Sequence, residues 1–257
     1  MKSLRTLGCL AVALGVVVSS GVRAGEFVPV YSQVSNPVFR EWQQELKADR
    51  VLESLAEYLN ANVILPTEVT ITVAECNTSN AFYNAEHQAI IICWELIGEI
   101  YEGALELGWS EEEAEKAAEN VTAFFFYHEL GHALIHVLDL PTTGREEDAV
   151  DQLSTYILEE EAEGDEVPAL DAALAFLAWS KEAQESKAQA AFWDEHSLNE
   201  QRFFNLVCWV YGQDPGRFRN LVQQGHLPEA RAARCPGEWQ KIDKSWTVLL
   251  DPHLKGQ

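Results

Sequence analysis

The feature that most constrains this chain is the segment FFFYHELGHALIHVLD, residues 124–139, which places two histidines and a glutamate in an otherwise apolar run. His128 and His132 are four residues apart, so on an α-helix their side chains lie about 40° apart around the axis and one turn apart along it. Both imidazoles can therefore reach one ion. Burying them together with Glu129 is costly unless an ion or hydrogen bonds compensate them.

The spacing matches the HExxH pattern, in which Glu129 would hold a water molecule bound to the metal. Zinc lowers the pKa of such a water to about 7, and a carboxylate beside it can accept the proton and deliver it to a leaving amine. The alternative is a buried helix whose histidines are satisfied by hydrogen bonds, because the flanking residues are typical of a core. His136 is interpreted as a packing residue or as a support for a ligand.

A third ligand is expected, because a catalytic zinc usually takes three protein ligands and leaves the fourth position to water. In the downstream segment REEDAVD, residues 145–151, Glu147 and Asp151 are four apart and point to the same side of a helix. We predict that Glu147 is the ligand and that Asp151 supports His128 by fixing its tautomer. Glu146 and Asp148 are expected to face solvent at the start of this helix, where the dipole favours acids.

HELGH followed by EDAVD on the next helix resembles the zinc metallopeptidases whose third ligand is a glutamate on the following helix. Among these, the chain is similar to a bacterial family of exported metallopeptidases that is classed as a domain of unknown function. The likeness extends to NAFYNAEHQAIIICWEL before the motif and to NEQRFFNLVCWVYGQDP and LPEARAARCPGEW after it, so it covers most of the chain. It implies a zincin-like fold, one Zn²⁺ per chain, and hydrolysis of a bond in a peptide or protein substrate.

The resemblance also implies an edge strand beside the cleft, for which residues 89–92 are the candidate, and an extended peptide could pair with it. Zinc peptidases usually stabilise the tetrahedral intermediate with a His, Tyr or Arg donor. The candidates are His196, Tyr127 and Arg202. We favour His196 as a catalytic residue, because the acids before it could hold it protonated; the alternative is a surface or helix-capping histidine. Tyr127 is expected to pack, because it projects about 100° away from His128.

Residues 1–24 are typical of a secretory signal peptide, with a basic start, the apolar stretch LGCLAVALGVVV and a VRA cleavage site. The mature chain, residues 25–257, is expected to form a single metallopeptidase-like domain in the bacterial periplasm or outside the cell. Cleavage removes three basic residues and no acid, which moves the formal charge from −23 to −26. This argues against nucleic-acid binding, which needs clustered Lys and Arg. No later segment reaches about 18 apolar residues, so no membrane association is expected after cleavage.

The mature chain has four cysteines, Cys76, Cys93, Cys208 and Cys235. An even count in an exported protein indicates disulfides, and four cysteines permit three connectivities. Pairs Cys76–Cys93 and Cys208–Cys235 are favoured, because each closes a short local loop. The alternative of a cysteine-bound metal lacks a CxxC spacing.

Apolar periodicity predicts a mostly helical chain with a small N-terminal sheet. One amphipathic helix is expected over residues 37–60, and two strands over 67–74 and 88–93, separated by the turn-like segment NTSNAFYNAEH. Ser110 and Glu113 form a capping box that opens the helix with HELGH. Another helix is expected over residues 145–160, then an acidic solvated loop over 159–166 and further helices beyond Pro168. The predicted fold class is α+β, predominantly helical.

These patterns lead to the hypothesis of an exported zinc metallopeptidase with Glu129 as general base and acid. One alternative is a non-catalytic binding protein stabilised by metal, a pseudo-protease, although a structural site has no need of Glu129. Another is a zinc amidase that acts on cell-wall crosslinks, which uses the same chemistry. The sequence carries no signal of an oligomeric state.

Overall fold

The computed structural model describes residues 25–161, 167–187 and 189–256. The predicted signal peptide and residues 162–166 of the predicted acidic loop lie outside the described residues. The strands are β1 (Phe27–Tyr31), β2 (Val69–Ala74), β3 (Ala81–Asn84) and β4 (Ala89–Cys93). The helices are α1 (Pro37–Ala48), α2 (Val51–Asn62), α3 (Trp94–Glu106), α4 (Glu111–Leu138), α5 (Glu146–Glu161), α6 (Pro168–Glu185), α7 (Asn199–Gln213), α8 (Arg219–Gln223), α9 (Glu229–Ala232) and α10 (Cys235–Leu250), followed by a short 3₁₀ turn, Asp251–His253. This arrangement confirms the predicted α+β class.

The four described strands form one mixed sheet in the order β1-β2-β4-β3. β1, β2 and β4 run parallel, with Phe27 opposite Val69 and Thr70 opposite Ala89. β3 runs antiparallel to β4, with Ala81 opposite Ile92. Alternate residues of β2 are buried, as expected for a strand with one face on the core. β3 is therefore the sheet edge that lies on the side of β4.

Helix α4 runs through the core and carries HELGH near its C-terminal end. The predicted capping box at its start is confirmed: the Ser110 hydroxyl accepts from the Glu113 N–H, and the Glu113 carboxylate accepts from the Ser110 N–H. The helix contacts α3, α5 and α6 as well as β3 and β4. Being enclosed on several sides, it buries most residues from Val121 to Ile135.

Several predicted boundaries are wrong. The helix expected over residues 37–60 is two helices, because Arg50 takes a left-handed backbone conformation with φ of 55°. The turn-like segment before β4 contains β3, and β1 was not predicted. The candidate edge strand, residues 89–92, is an inner strand paired on both sides. Glu159 is not solvated, since it is 6% exposed within α5.

Both favoured disulfides are present. Cys76–Cys93 links the chain after β2 to the end of β4, and Cys208–Cys235 links α7 to the first residue of α10. The Cys76 and Asn77 N–H groups donate to the Glu95 carboxylate, so this acid satisfies backbone beside the first disulfide. Each bridge thus joins two elements of the folded domain.

Among the described residues, no helix combines the length and apolar character needed to span a bilayer.

Candidate metal centre

Close contact between α4 and α5 sets the geometry of the site. Gly131, in the middle of HELGH, lies directly against Val150 of α5: a Cβ added at Gly131 would lie 2.7 Å from Val150 Cγ1. A side chain there would push the helices apart. The glycine thus lets the histidines of α4 approach the acids of α5.

His128, His132 and Glu147 meet at this contact. Their ligand atoms all lie within 4.8 Å of one another, with His128 buried and the other two partly buried. His128 Nε2 lies 3.2 Å from Glu147 Oε2, and His132 Nε2 lies 3.3 Å from Glu147 Oε1. The arrangement brings together two imidazoles and a carboxylate, a donor set that suits zinc.

Carboxylates hold the far nitrogen of each histidine. His128 Nδ1 is 2.8 Å from Asp151 Oδ1, and His132 Nδ1 is 2.8 Å from Glu146 Oε1. The Asp151 contact is the one expected from the sequence. Glu146 was expected to face solvent, and this is wrong: it is partly exposed but bonds His132, because α5 begins directly beside that turn of α4. Asp148 also has a partner, the Ser197 hydroxyl, which donates to it at 2.7 Å.

Arg202 of α7 holds the Asp151 carboxylate that contacts His128. Its guanidinium donates to both Asp151 oxygens, at 2.8 and 2.6 Å, and lies 3.9 Å from the centre of the Phe176 ring. Burial raises the pKa of the Asp151 carboxyl, but Arg202 and His128 outweigh it and lower the pKa to about 2. Arg202 was one candidate donor to the tetrahedral intermediate, whereas in the structure its guanidinium pairs with Asp151.

The balance of hydrogen-bond donors and acceptors at the centre indicates a positive charge among these atoms. If each Nδ1–H donates to its carboxylate, each neutral imidazole presents an Nε2 acceptor toward Glu147, which is also an acceptor. Glu147 Oε2 is buried and has no hydrogen bond of acceptable geometry, despite its short distances to imidazole nitrogens. Either the histidines are protonated or a positive ion lies between these atoms. The residues present therefore fit a divalent metal.

The electrostatics of these groups show a strong attraction for positive charge, whether protons or a metal ion. Burial raises the pKa of Glu147, but contacts with His128, His132 and His196 outweigh it and hold the pKa far below its ordinary value. Burial lowers the pKa of His132, but Glu147 and Glu146 raise it to about 9. The acids of α5 thus create a strongly negative potential at the imidazole nitrogens.

Glu129 lies beside the centre and is 5% exposed. Burial is the main cause that raises the pKa of its carboxyl, opposed by the two histidines and by a hydrogen bond from the Tyr83 backbone. Tyr83 belongs to β3, so the sheet edge contacts the carboxylate next to the metal ligands. Glu129 and His128 also line an open cleft of about 570 Å³.

His196 lines the same cleft, on the segment between α6 and α7. Its Nε2 lies 3.0 Å from Glu147 Oε2 and its Nδ1 lies 3.0 Å from Asp194 Oδ1. The contact with Glu147 is the largest cause that raises the pKa of His196. The structure thus brings His196 to the centre, with the acid expected to hold it protonated.

The other candidates from the sequence lie elsewhere. Tyr127 is buried on the opposite side of α4 and does not line the cleft. His136 Nδ1 lies 2.9 Å from the Tyr83 hydroxyl and so links α4 to the edge strand. The contribution of Glu146 was missed, although its position one residue before Glu147 in the first turn of α5 is visible in the sequence.

Comparison with known proteins agrees with this geometry. A sequence profile of the family described as “Putative metallopeptidase” matches residues 31–250, which include every residue of the centre. No curated protein and no solved structure gives a significant match to the chain. Since the profile covers most of the sequence, the chain belongs to this metallopeptidase family.

Proposed function

We propose that this protein is an exported zinc peptidase with one ion held by His128, His132 and Glu147. The observation that carries the proposal is the convergence of the His128 and His132 Nε2 atoms on the two oxygens of the Glu147 carboxylate, beside a cleft that contains Glu129. Two disulfides within the described residues support export, because such bonds persist mainly outside the cytosol. We also propose that residues 25–257 form a single zincin-like domain.

When bound, zinc supplies Lewis-acid chemistry and lowers the pKa of a coordinated water. Two acids and one arginine hold the ligand set in place. Asp151 and Glu146 each fix the tautomer of one histidine, which leaves both Nε2 lone pairs free for the ion. Arg202 in turn fixes Asp151.

Glu129 is the proposed general base and acid. Its carboxylate is buried beside both histidines, and burial raises its pKa toward the range in which a carboxyl can both accept and return a proton. It would take a proton from the attacking water and deliver it to the nitrogen of the leaving amine. The Tyr83 N–H orients the carboxylate for this transfer.

His196 is the proposed donor to the oxyanion of the tetrahedral intermediate. The Asp194 carboxylate at its Nδ1 favours the protonated ring, whose Nε2–H points toward the centre. This ring is partly exposed at the cleft and so can contact a substrate. Loss of one such donor lowers kcat by about two to three orders of magnitude in well-studied hydrolases.

The edge strand β3 is the proposed site for the substrate backbone. The sequence analysis assigned this role to residues 89–92 of β4, but β4 is paired on both sides and has no free edge. Ala81 of β3 and its neighbour Asn80 line the cleft, so an extended peptide beside them would lie next to Glu129. This placement favours a peptide or protein substrate.

Hydrolysis by wild type and Glu129→Gln tests the proposal, with fluorogenic peptide libraries and peptidoglycan fragments offered to each. We expect the wild type to cleave peptides and the variant to retain zinc but lose at least about a hundredfold in kcat. Glu112→Gln, an exposed acid in the first turn of α4, is the matched control and should keep full activity.

The same assay separates the alternatives. Cleavage of peptidoglycan fragments alone would indicate the zinc amidase. Zinc binding without hydrolysis of any substrate would indicate the non-catalytic binding protein. Equal hydrolysis by wild type and Glu129→Gln would refute the assigned role of Glu129.

A further inference from the structure

A second cavity lies on the opposite side of α4 from the metal centre. Its volume is about 830 Å³, within the range of sites that hold small molecules. It lies between the α1–α2 pair on one side and α3, α4 and the sheet on the other. Thr122, Ala123, Phe126 and Tyr127 of α4 line it, whereas Phe125, His128 and Glu129 line the metal cleft. The two spaces therefore use different faces of one helix.

The interior of this cavity is apolar and aromatic. Its deep wall includes Leu52, Ile71, Ile92, Trp94 and Phe126, each no more than 5% exposed. Trp42 of α1 lies at the same wall, with its ring centroid 6.3 Å from that of Trp94. A space of this size and character suits an alkyl or aromatic body.

Two residues of the lining carry polar atoms that the protein does not satisfy. Trp94 Nε1 and Thr122 Oγ1 are buried and have no hydrogen-bond partner within the described structure. Buried polar groups are nearly always hydrogen-bonded in native proteins. Both atoms belong to residues that line this one cavity.

The exposed part of the lining is acidic. Glu45 and Asp49 lie four residues apart at the end of α1, and Glu115 and Glu119 lie four apart at the start of α4. The described lining contains no lysine or arginine. Lys116, beside the lining, contacts Glu119 at 3.6 Å. The opening therefore has a net negative charge.

We propose that this cavity binds an amphipathic amine, with the apolar body against the Trp42–Trp94 wall and the ammonium group among the acids of α1 and α4. The size of the cavity and its aromatic wall select the body, and the acidic opening selects the positive head. A fatty acid with the same alkyl chain as the amine would place its carboxylate among four carboxylates, and charge repulsion disfavours its binding.

Isothermal titration calorimetry with three probes tests the proposal on the mature protein. Decylammonium, decanol and decanoate share one alkyl chain and differ in charge. The two ions are used below their critical micelle concentrations and decanol below its solubility limit. We expect one decylammonium to bind per chain, decanol to bind more weakly and decanoate to show no binding. Equal binding of decylammonium and decanol, or no binding of any probe, would overturn the proposal.

Two variants locate the site. Glu115→Gln combined with Glu119→Gln should weaken decylammonium binding about fivefold and leave decanol unchanged, because two exposed charge contacts are lost. Glu111→Gln combined with Glu112→Gln makes the same charge change on the same helix outside the lining and should have no effect. An equal loss in both double variants would show that only the overall charge matters and would refute the assigned site.

A cavity-filling variant and a metal-site variant complete the test. Ala123→Leu, at a partly buried lining position, should weaken both decylammonium and decanol, with folding checked by circular dichroism. Should it fail to fold, Leu55→Phe on α2 serves the same purpose. Glu147→Ala should leave probe binding unchanged, since Glu147 does not line this cavity. Loss of probe binding in Glu147→Ala would place the probe at the metal centre instead.

Discussion

Replacement of Gly131 by alanine tests how the two helices of the metal centre are held together. The added Cβ would lie 2.7 Å from Val150 Cγ1 and 2.9 Å from Val150 Cβ, and both distances are too short for carbon atoms. Alanine favours the helix over glycine by about 1 kcal/mol, whereas overpacking costs about 1–3 kcal/mol. We therefore expect Gly131→Ala to lower the free energy of unfolding by about 1 kcal/mol.

The same change should weaken zinc binding, because α5 carries Glu147 and must shift to relieve the contact. We expect roughly a tenfold loss of zinc affinity, in the range found when the support of a ligand is disturbed. Urea denaturation of the metal-free protein measures stability, and competition with a chelating dye measures zinc affinity. Gly103→Ala in α3 is the matched control: nothing lies within 4 Å of its added Cβ, so it should raise stability by up to about 1 kcal/mol.

Val150→Ala in the Gly131→Ala background provides the second half of a double-mutant cycle. Removal of the two methyl groups takes away the 2.7 Å contact but keeps the Cβ of residue 150 at 2.9 Å, so zinc affinity should recover only in part. If Gly131→Ala stabilises the protein as much as Gly103→Ala and leaves zinc affinity intact, the close contact does not position Glu147.

Three further changes have expected outcomes. Burial is the main cause that raises the pKa of Glu159 to about 7, so the protonated form favours folding: its stabilising effect is complete below pH 4.5 and is lost as the pH rises through about 7. Glu159→Gln should remove up to about 3 kcal/mol of this pH dependence in urea titrations, and an unchanged pH profile would contradict it. Arg202→Met leaves Asp151 buried without its partner and should lower the free energy of unfolding by about 3 kcal/mol, with Arg202→Lys intermediate; full stability of Arg202→Met would show that the pair is not needed. Glu146→Ala should weaken zinc binding about tenfold in chelator competition while Asp148→Ala has little effect, and equal effects would argue against a specific role at His132.

The elements with strong local patterns were predicted well. The capping box, the apolar run and the spacing of HELGH together define α4, because each depends only on neighbouring residues. The grouping of His128, His132 and Glu147 followed from helical geometry, since residues four apart share a face and α5 follows α4 closely in sequence. The disulfide pairs followed from loop length.

Features that depend on distant partners were not predicted. β3 has only four residues within a polar segment, and its place at the sheet edge depends on pairing with β4. The break between α1 and α2 arises from the left-handed backbone of Arg50, a residue with no intrinsic preference for that conformation. Glu146 faces His132 only because α5 packs against α4 at that point, and the charge pattern of the segment alone favoured solvent.

Zinc content, measured by mass spectrometry on purified wild type beside Glu147→Ala and Asp148→Ala, shows whether His128, His132 and Glu147 hold a metal ion. We expect about one zinc per chain in the wild type and in Asp148→Ala, and loss of most of it in Glu147→Ala. A wild type that stays free of metal after zinc is offered and the excess removed would rule out the metal centre, because the two histidines would then be protonated partners of the acids on α5.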